Sequence, residues 1–367
     1  MRSSTKRYAN IFIIMLIFSV WVYLCFSHRS RRKRVQFIPH NFKDLSIQKE
    51  IFKELGYKET TDTYSADFIY LADQIYADSL SEIKINATIN YLPGTSILTN
   101  RITLYEEFNN INDEDSDQEN PNIPANLGKF MPETYFLPKD KSRFIYDKDN
   151  SENDEYWCLK MIKDHSILAI TSKNSFFNKF TSTKNTYIQQ IVHPPLVINN
   201  RKLLASVFVL IKTVPSETNK LQARLDHVIY DRDWLFQYSK ERYHALLDIV
   251  NIDKDAFQEK IAAKEHGTEN FITKSLLSDK YLEDFAEIES NVETIIHTVL
   301  SSLAELPENK GIFINYFQLL KFNFLFTREH MPILTSIGHG DIGVDLEGPD
   351  SLYIDLMSWV LRELKLS

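Results

Sequence analysis

Glycine and cysteine are scarce in this chain. Its 367 residues include 9 glycines and 2 cysteines, whereas glycine averages roughly 7% of residues in proteins. No glycine lies between Gly128 and Gly267, which argues against an enzyme that grips a nucleotide triphosphate through a Gly-rich loop there. Cys25 lies in an apolar segment, and Cys158 has no second cysteine to pair with in the rest of the chain. No disulfide framework is therefore possible, and the cysteines do not require an oxidising compartment.

Several sequence signatures of catalytic and metal sites are also missing. The chain contains no GxSxG, Walker or GxGxxG motif. Its ten histidines include no HExxH and no pair at helical spacing, so a zinc site is not expected. His339-Gly340-Asp341 reads as a loop with a capping aspartate. The triplet Asp113-Glu114-Asp115 lies within an acidic stretch at 106–122 that has seven acids and no base, which is typical of a solvated loop.

A long apolar run near the N-terminus predicts a membrane anchor. Residues 11–27, IFIIMLIFSVWVYLCFS, carry no charge and would reach about 26 Å as a helix, enough to cross a thin bilayer. The alternative is a cleaved signal peptide, but the run exceeds the usual apolar length and ends in the bulky Leu24 and Phe26. We therefore predict a single-pass N-terminal transmembrane helix.

The charged residues around this segment bear on its orientation. Three basic residues precede the apolar run and five follow it at 29–34, which favours a cytosolic body. The sequon Asn86-Ala87-Thr88 favours the opposite orientation, since it would be glycosylated only in a lumen. A lumenal type II glycosyltransferase, a class that also has a short anchor, is therefore kept as an alternative.

The charge of the body restricts its partners. Residues 1–34 hold eight of the 42 basic residues and no acid, so the remaining chain has a formal net charge of −16. Such a body repels nucleic acid and acidic peptide tails. The basic run at 29–34 is expected to contact anionic lipid headgroups.

Hydrophobic periodicity predicts a mixed α/β body. We expect a membrane anchor with its basic flank at 1–34, a small α/β subdomain at 35–104, an acidic flexible loop at 105–130, and central and C-terminal subdomains at 131–367. Helices are predicted at 46–55, 280–304 and 351–366. Strands are predicted at 65–71, 157–162, 187–192 and 317–326, with a doubly buried central strand at 203–214 and its hairpin neighbour at 227–239. The segment 89–100 is predicted to be a loop.

Six blocks occur in an order that resembles one known family. They are PGTSILTNRITL (93–104), PETYFLP (132–138), NDEYWCLK (153–160), YIQQIVHPPLVINNRKLLASVFVLI (187–211), DRDWLFQYSKERY (231–243) and FQLLKFNFLFTREHMPILTSIG (317–338). In this order and spacing they resemble tubulin-tyrosine-ligase-like proteins over about residues 60–366, and the membrane-anchored, nematode-type members are the most similar. The resemblance implies an ATP-grasp fold that ligates tyrosine, glutamate or glycine to tubulin through an acyl-phosphate.

The expected metal ligands of that family are replaced in this sequence. Two magnesium ions are bound by carboxylate and amide oxygens, which in the family lie in patterns like FDF and LLEVN. The first pattern here has Asn323 in place of the aspartate. The second has Ser336 in place of the glutamate and Gly338 in place of the asparagine. The resemblance therefore implies a metal site without its carboxylates.

The nucleotide-facing and substrate-facing positions are altered as well. In the family's KFDLR strand the aspartate is replaced by Leu204 and the arginine by Ser206, and neither replacement is conservative. The glycines and arginines of the phosphate-covering loop are missing at 160–167. Lys160, Gln189 and Lys202 stand where family members touch ATP, so they are either residual cofactor-binding residues or polar residues left at strand edges.

These substitutions predict a membrane-anchored pseudo-ligase that binds partners and needs neither ATP nor magnesium. By family resemblance alone, tubulin is a candidate partner. The alternative is a divergent active ligase that uses ATP and magnesium, with replacement ligands at Asp341, Asp345 or Glu347.

Overall fold

The computed structural model describes most of the predicted body. The described residues are 33–38, 45–71, 87–92, 94–106, 130–149, 156–163, 167–172, 185–198, 201–215, 223–230, 234–238, 271–272, 285–305, 316–339 and 350–364. The predicted anchor at 11–27, Asn86 and most of the acidic stretch at 106–122 lie outside them. Among the described helices, none has the length and apolar character needed to cross a membrane. The chain divides into two compact units between Ile89 and Asn90.

The first unit is a parallel sheet with a helix packed on it. Its strands are β1 (Arg34–Ile38), β2 (Lys58–Glu59), β3 (Phe68–Leu71) and β4 (Thr88–Ile89), in the order β2-β1-β3-β4. Helix α1 (Ser46–Glu54) connects β1 to β2 and inserts Phe52 between Phe37 and Phe68, with ring centroids 5.7 and 5.0 Å away. The predicted helix at 46–55 and the strand within 65–71 are confirmed.

The second unit contains an antiparallel four-stranded sheet. Its strands are β5 (Thr134–Leu137), β6 (Tyr156–Met161), β7 (Ile167–Ser172) and β8 (Thr186–Gln190), in the order β5-β8-β6-β7. Helix α2 (Thr95–Thr99) precedes the sheet, and helix α3 (Lys141–Asp149) follows β5. Phe144 of α3 packs edge-on against Tyr135 and Trp157, so a small aromatic core fixes α3 to one face of this sheet.

The larger sheet of the second unit is built around one long strand. Its strands are β9 (Val197–Ile198), β10 (Arg201–Pro215), β11 (Ala223–Ile229), β12 (Leu235–Tyr238), β13 (Phe271–Ile272), β14 (Phe317–Phe326) and β15 (Pro332–His339). Strand β10 pairs with β9, β11, β12 and β14, and β15 continues the sheet beyond β14. The second unit also contains helices α4 (Phe285–Glu305) and α5 (Asp350–Glu363). The predicted strands at 203–214 and 317–326 are confirmed.

Alternation along β10 and β14 separates two faces of this sheet. One face belongs to the main hydrophobic core, where the buried residues of the two strands share a cluster with α4; they include Leu203, Ala205, Val207, Phe322, Phe324, Ile288, Val292 and Ile295. Successive strand residues point to opposite faces, so the residues between them reach the other face. There Leu204, Ser206, Asn323 and Leu325 are only half-buried. This half-open face carries the candidate site.

Three segments have structure that the sequence pattern did not predict. The segment at 227–239 forms the end of β11 and all of β12, two strands that pair with successive stretches of β10. Residues Pro332–His339, for which no element was predicted, form β15 by pairing with the edge of β14. Within the predicted loop at 89–100, Thr95–Thr99 form the short helix α2.

The packing of β14 predicts that substitutions on its two faces lower the free energy of unfolding by different amounts. Phe322 is fully buried under α4, so Phe322→Ala should lower the free energy of unfolding by about 3–5 kcal/mol. Leu325→Ala, on the half-open face of the same strand, is the matched control and should cost clearly less. Urea unfolding followed by circular dichroism measures both. Equal losses would contradict the assignment of the core face.

Candidate functional site

Three neutral polar side chains form a continuous row across the half-open face. Ser206 of β10 lies directly opposite Asn323 of β14, and Asn323 lies opposite Ser336 of β15. The Ser206 hydroxyl donates to Asn323 Oδ1 at 2.7 Å, and Asn323 Nδ2 donates to Ser336 Oγ at 3.1 Å. Each group in the row thus already has a partner within it. These are three of the positions at which the family resemblance expects charged ligands.

The other two substituted positions lie on the same face. Leu204 precedes Ser206 by two residues and is the register partner of Leu325. Gly338 follows Ser336 by two residues and is the register partner of Lys321. A Cβ atom built on Gly338 would meet no atom within 4 Å, so the backbone there has room for a side chain. The five positions, which belong to two separate blocks of the sequence, therefore come together on one surface.

A β-bulge connects this face to the helical residues 101–106. The register of β14 and β15 shifts after Asn323, which leaves Thr335 without an opposite residue on β14. The Thr335 hydroxyl donates to the Asn323 carbonyl at 3.0 Å, and the Thr335 carbonyl accepts from the Tyr105 hydroxyl at 2.6 Å. One hydrogen bond to β14 and one from Tyr105 therefore hold the bulge in place. Sequence reasoning missed this role of Tyr105, because nothing local to the residue indicates it.

Lys160 and Gln189 form the centre of a second polar chain, on the four-stranded sheet. Lys160 Nζ donates to Gln189 Oε1 at 2.7 Å, and Gln189 Nε2 donates to Thr134 Oγ1 at 3.1 Å. The Thr134 hydroxyl in turn donates to the Pro132 carbonyl at 2.9 Å. The adjacent strands β6, β8 and β5 supply the three side chains. Thr134 was not anticipated from the sequence.

Burial shifts the pKa values of Lys160 and of three titratable groups near this polar chain. Burial lowers the pKa of Lys160. Burial also raises the pKa of the Cys158 thiol and the pKa values of the Tyr105 and Tyr187 hydroxyls. Cys158 therefore remains a thiol that donates weakly to the Gln189 carbonyl at 3.3 Å, and it lacks the thiolate character of a nucleophile.

Lys202 lies at the beginning of β10, where it pairs with Val197 of β9. Its charge contributes, after burial, to a lowered pKa of His193. The His193 ring packs edge-on against Tyr156, with centroids 5.0 Å apart. Of the three predicted cofactor-binding residues, the structure joins Lys160 and Gln189 directly and places Lys202 beside His193.

The donors of this surface do not fit a magnesium–nucleotide site. The row across β10, β14 and β15 offers hydroxyl and amide groups, whereas Mg²⁺ bound to a nucleotide is held through carboxylates. The amide oxygen of Asn323 already accepts from Ser206. Among the described residues, no group of three or more His, Cys, Asp or Glu side chains could hold a metal ion. The candidate replacements Asp341, Asp345 and Glu347 and the triplet at 113–115 lie outside those residues.

Comparisons with known proteins identify what this chain resembles. The model of the tubulin-tyrosine ligase family matches residues 79–339. The Caenorhabditis elegans protein described as "Probable tubulin polyglutamylase ttll-15" is 22% identical over 304 residues, which cover 76% of this chain and 53% of that protein. The chain thus spans about half the length of this curated relative.

A solved structure shares the fold. The crystal structure of the C-terminal domain of Pby1 from K. lactis superposes with a TM-score of 0.62, covering 91% of this chain and 95% of that one at 13% identity. That protein is described as an ATP-grasp enzyme interacting with the mRNA decapping enzyme Dcp2. At this identity the likeness shows the fold alone, which is mixed α/β and ATP-grasp-like, as the sequence resemblance implied.

The Lys160–Gln189 pair predicts a measurable coupling. Lys160→Met leaves the buried Gln189 oxygen without its donor and should destabilise the protein by about 1–3 kcal/mol. The double variant K160M/Q189L removes both groups and should lose less than the two single variants together. Lys163→Met, at an exposed position just after β6, is the control. Chemical denaturation measures the cycle, and strictly additive losses would count against the pair.

Proposed function

We propose that this chain, which belongs to the tubulin-tyrosine ligase family, is a membrane-anchored pseudo-ligase that acts by binding partners. It keeps the mixed α/β ATP-grasp-like fold but has lost the charged groups with which such a fold holds metal ions and nucleotide. The proposal rests on one observation, the hydrogen-bonded row of Ser206, Asn323 and Ser336.

The row supports the proposal because all three of its side chains are uncharged. Carboxylates on directly opposite residues of neighbouring strands would lie about 4.5–5.5 Å apart at their Cβ atoms and would repel each other. A divalent cation between them would relieve that repulsion, which makes such a surface dependent on the metal. Here Asn323 instead donates to one serine and accepts from the other. The row itself is neutral, and its hydrogen bonds are complete without an ion.

The magnitudes also favour the absence of catalysis. Metal ions that hold a transferring phosphoryl group contribute several kcal/mol of transition-state stabilisation, and each loss of about 1.36 kcal/mol slows a reaction tenfold. Five positions are altered: Leu204, Ser206, Asn323, Ser336 and Gly338. Losses at all of them would leave little turnover to measure.

The expected partners follow from charge and from the predicted anchor. We propose that residues 11–27 cross the membrane once, that the basic run at 29–34 contacts anionic lipid, and that the body faces the cytosol. The body's net charge of −16 disfavours nucleic acid. Tubulin, with its acidic tails, is a partner only if a local basic surface binds it. The lumenal glycosyltransferase alternative has no support in the fold or the family match.

Calorimetry tests the loss of the site. Full-length protein in detergent micelles, titrated with ATP in the presence of magnesium, should show no magnesium-dependent heat, because the row offers the ion no carboxylate. The variant N323D/S336E returns two carboxylates to opposite positions of β14 and β15 and should gain magnesium binding. Asn323→Leu is the matched control, since it removes the polar group without adding charge.

Two results would contradict this expectation. Micromolar, magnesium-dependent ATP binding by the wild-type chain would show a retained site. A restored variant that still fails to bind magnesium while remaining folded would show that the row does not occupy the ligand position.

A divergent, active amino-acid ligase is the second candidate. It is favoured by the match to a protein described as a tubulin polyglutamylase and by the retained Lys160–Gln189 pair. In that case ATP and magnesium would be its cofactors, and Asp341, Asp345 or Glu347 would supply the missing carboxylates.

Incorporation of labelled amino acids separates the two candidates. The pseudo-ligase proposal expects no transfer of radiolabelled glutamate, glycine or tyrosine to microtubules by the full-length protein. An active ligase would label microtubules, and the double variant K160A/K202A would abolish the labelling. Lys53→Ala is the control, because it changes an exposed lysine of α1, outside the predicted site. Labelling that survives in the control and disappears in the double variant would establish activity.

A further inference from the structure

Two histidines that are distant in the sequence meet between a strand and a helix of the second unit. His227 lies on β11 and His297 on α4, and their ring centroids are 5.5 Å apart with ring planes inclined by 36°. Because one comes from a strand and the other from a helix 70 residues later, no spacing rule in the sequence reveals the pair. Neither residue takes part in the site described above.

The separation of the rings matches that of two imidazoles bound to one metal ion. Each imidazole nitrogen binds a zinc ion at about 2.0–2.1 Å, so two histidines at a tetrahedral ion have ring centroids roughly 5 Å apart. Two rings stacked face to face would lie nearly parallel, whereas these two planes are inclined by 36°. The pair therefore has the spacing of a chelate.

Both elements hold their histidine firmly. His227 stands between Leu225 and Ile229, which pack against the main hydrophobic core. His297 follows the buried Ile295 and Ile296 of α4 but is itself exposed, so an ion from solvent can reach it. Within the described residues, no hydrogen bond or ion pair occupies the ring nitrogens of either histidine. The nitrogens are thus available as ligands.

The charged groups near the pair on its own two elements are acidic. Asp226 directly precedes His227 on β11. Neutral imidazole is the form that binds metal ions. Glu293 lies one helical turn before His297 and adds negative charge beside the pair. On β10, Lys212 is the register partner of Asp226, but its ammonium group pairs with Glu363, with Nζ 3.6 Å from Glu363 Oε2.

We propose that His227 and His297 chelate a divalent transition-metal ion, with water completing the coordination, and that this ion fastens α4 to the edge strand β11. Imidazole suits zinc, copper and nickel, and affinity rises toward copper along the divalent series. Magnesium and calcium prefer oxygen ligands, so this site would not take the ion of a nucleotide-binding enzyme.

Metal titration of the full-length protein tests the site. Metal-free protein in detergent micelles is titrated with zinc chloride at pH 7.5. The exposed His297→Gln variant and the His227→Gln variant should each bind at least tenfold more weakly than wild type. His330→Asn is the control, because His330 has a positive φ of 66° that asparagine tolerates. It should bind as wild type does.

Two further readouts locate the ion. Saturating zinc should raise the midpoint of thermal unfolding of wild type but not of H297Q, because the ion binds only the folded arrangement. The electron paramagnetic resonance spectrum of bound copper should report two nitrogen ligands in wild type and one in H297Q. Lowering the pH to 5.5 should weaken binding, since protons compete for the same nitrogens.

The decisive comparison uses H297Q, because the altered side chain is exposed and we expect the fold to tolerate the change. Equal zinc affinity in wild type and H297Q would overturn the proposal, whether or not H227Q folds. Absence of zinc binding by wild type would overturn it as well. Loss of binding in His330→Asn alone would place the ion elsewhere.

Discussion

Backbone hydrogen bonding along β10 is the constraint on which the second unit depends. This strand spans Arg201–Pro215 and carries β9, β11 and β12 as well as β14, so four strands take their position from it. Along 203–207 its alternating side chains place one set in the main core and the other set on the half-open face. A slip of one residue would exchange the two sets. The register of β10 thus determines both the stability of the core and the chemistry of the exposed surface.

The same register explains why the substituted positions meet. Ser206 belongs to one block of the family resemblance, and Asn323 and Ser336 belong to another, yet the three residues are direct neighbours across three strands. An incorrect alignment of any block would have placed its residue in the core or in another row. Because neutral groups then bond one another, the surface has no electrostatic need for a cation. The strand register thus agrees with the family resemblance, and this agreement supports the proposed loss of metal binding and catalysis.

Much of the fold could be predicted from the sequence, but the contacts between elements could not. Apolar residues recur in β10, β14 and α4 at the spacing of a strand or a helix, because one or two faces of each element are buried. This spacing is visible in the sequence. The split of 227–239 into β11 and β12, and the strand β15, depend on which edges were free for pairing. The Lys160–Gln189 bond joins two adjacent strands, and His227 meets His297 only after α4 docks. The local sequence pattern carries no information about contacts between side chains on different elements.

The single unpaired residue of β15 has a consequence for what the core can hold. Before Thr335 the even-numbered Leu334 is buried, and after it the odd-numbered Ile337 is buried. The bulge therefore reverses the phase of the strand midway along its length. An uninterrupted strand would point Ser336 inward beside Leu334 and expel Ile337 to the open side. One inserted residue thus lets a polar surface and a continuous apolar layer share the same short stretch of chain.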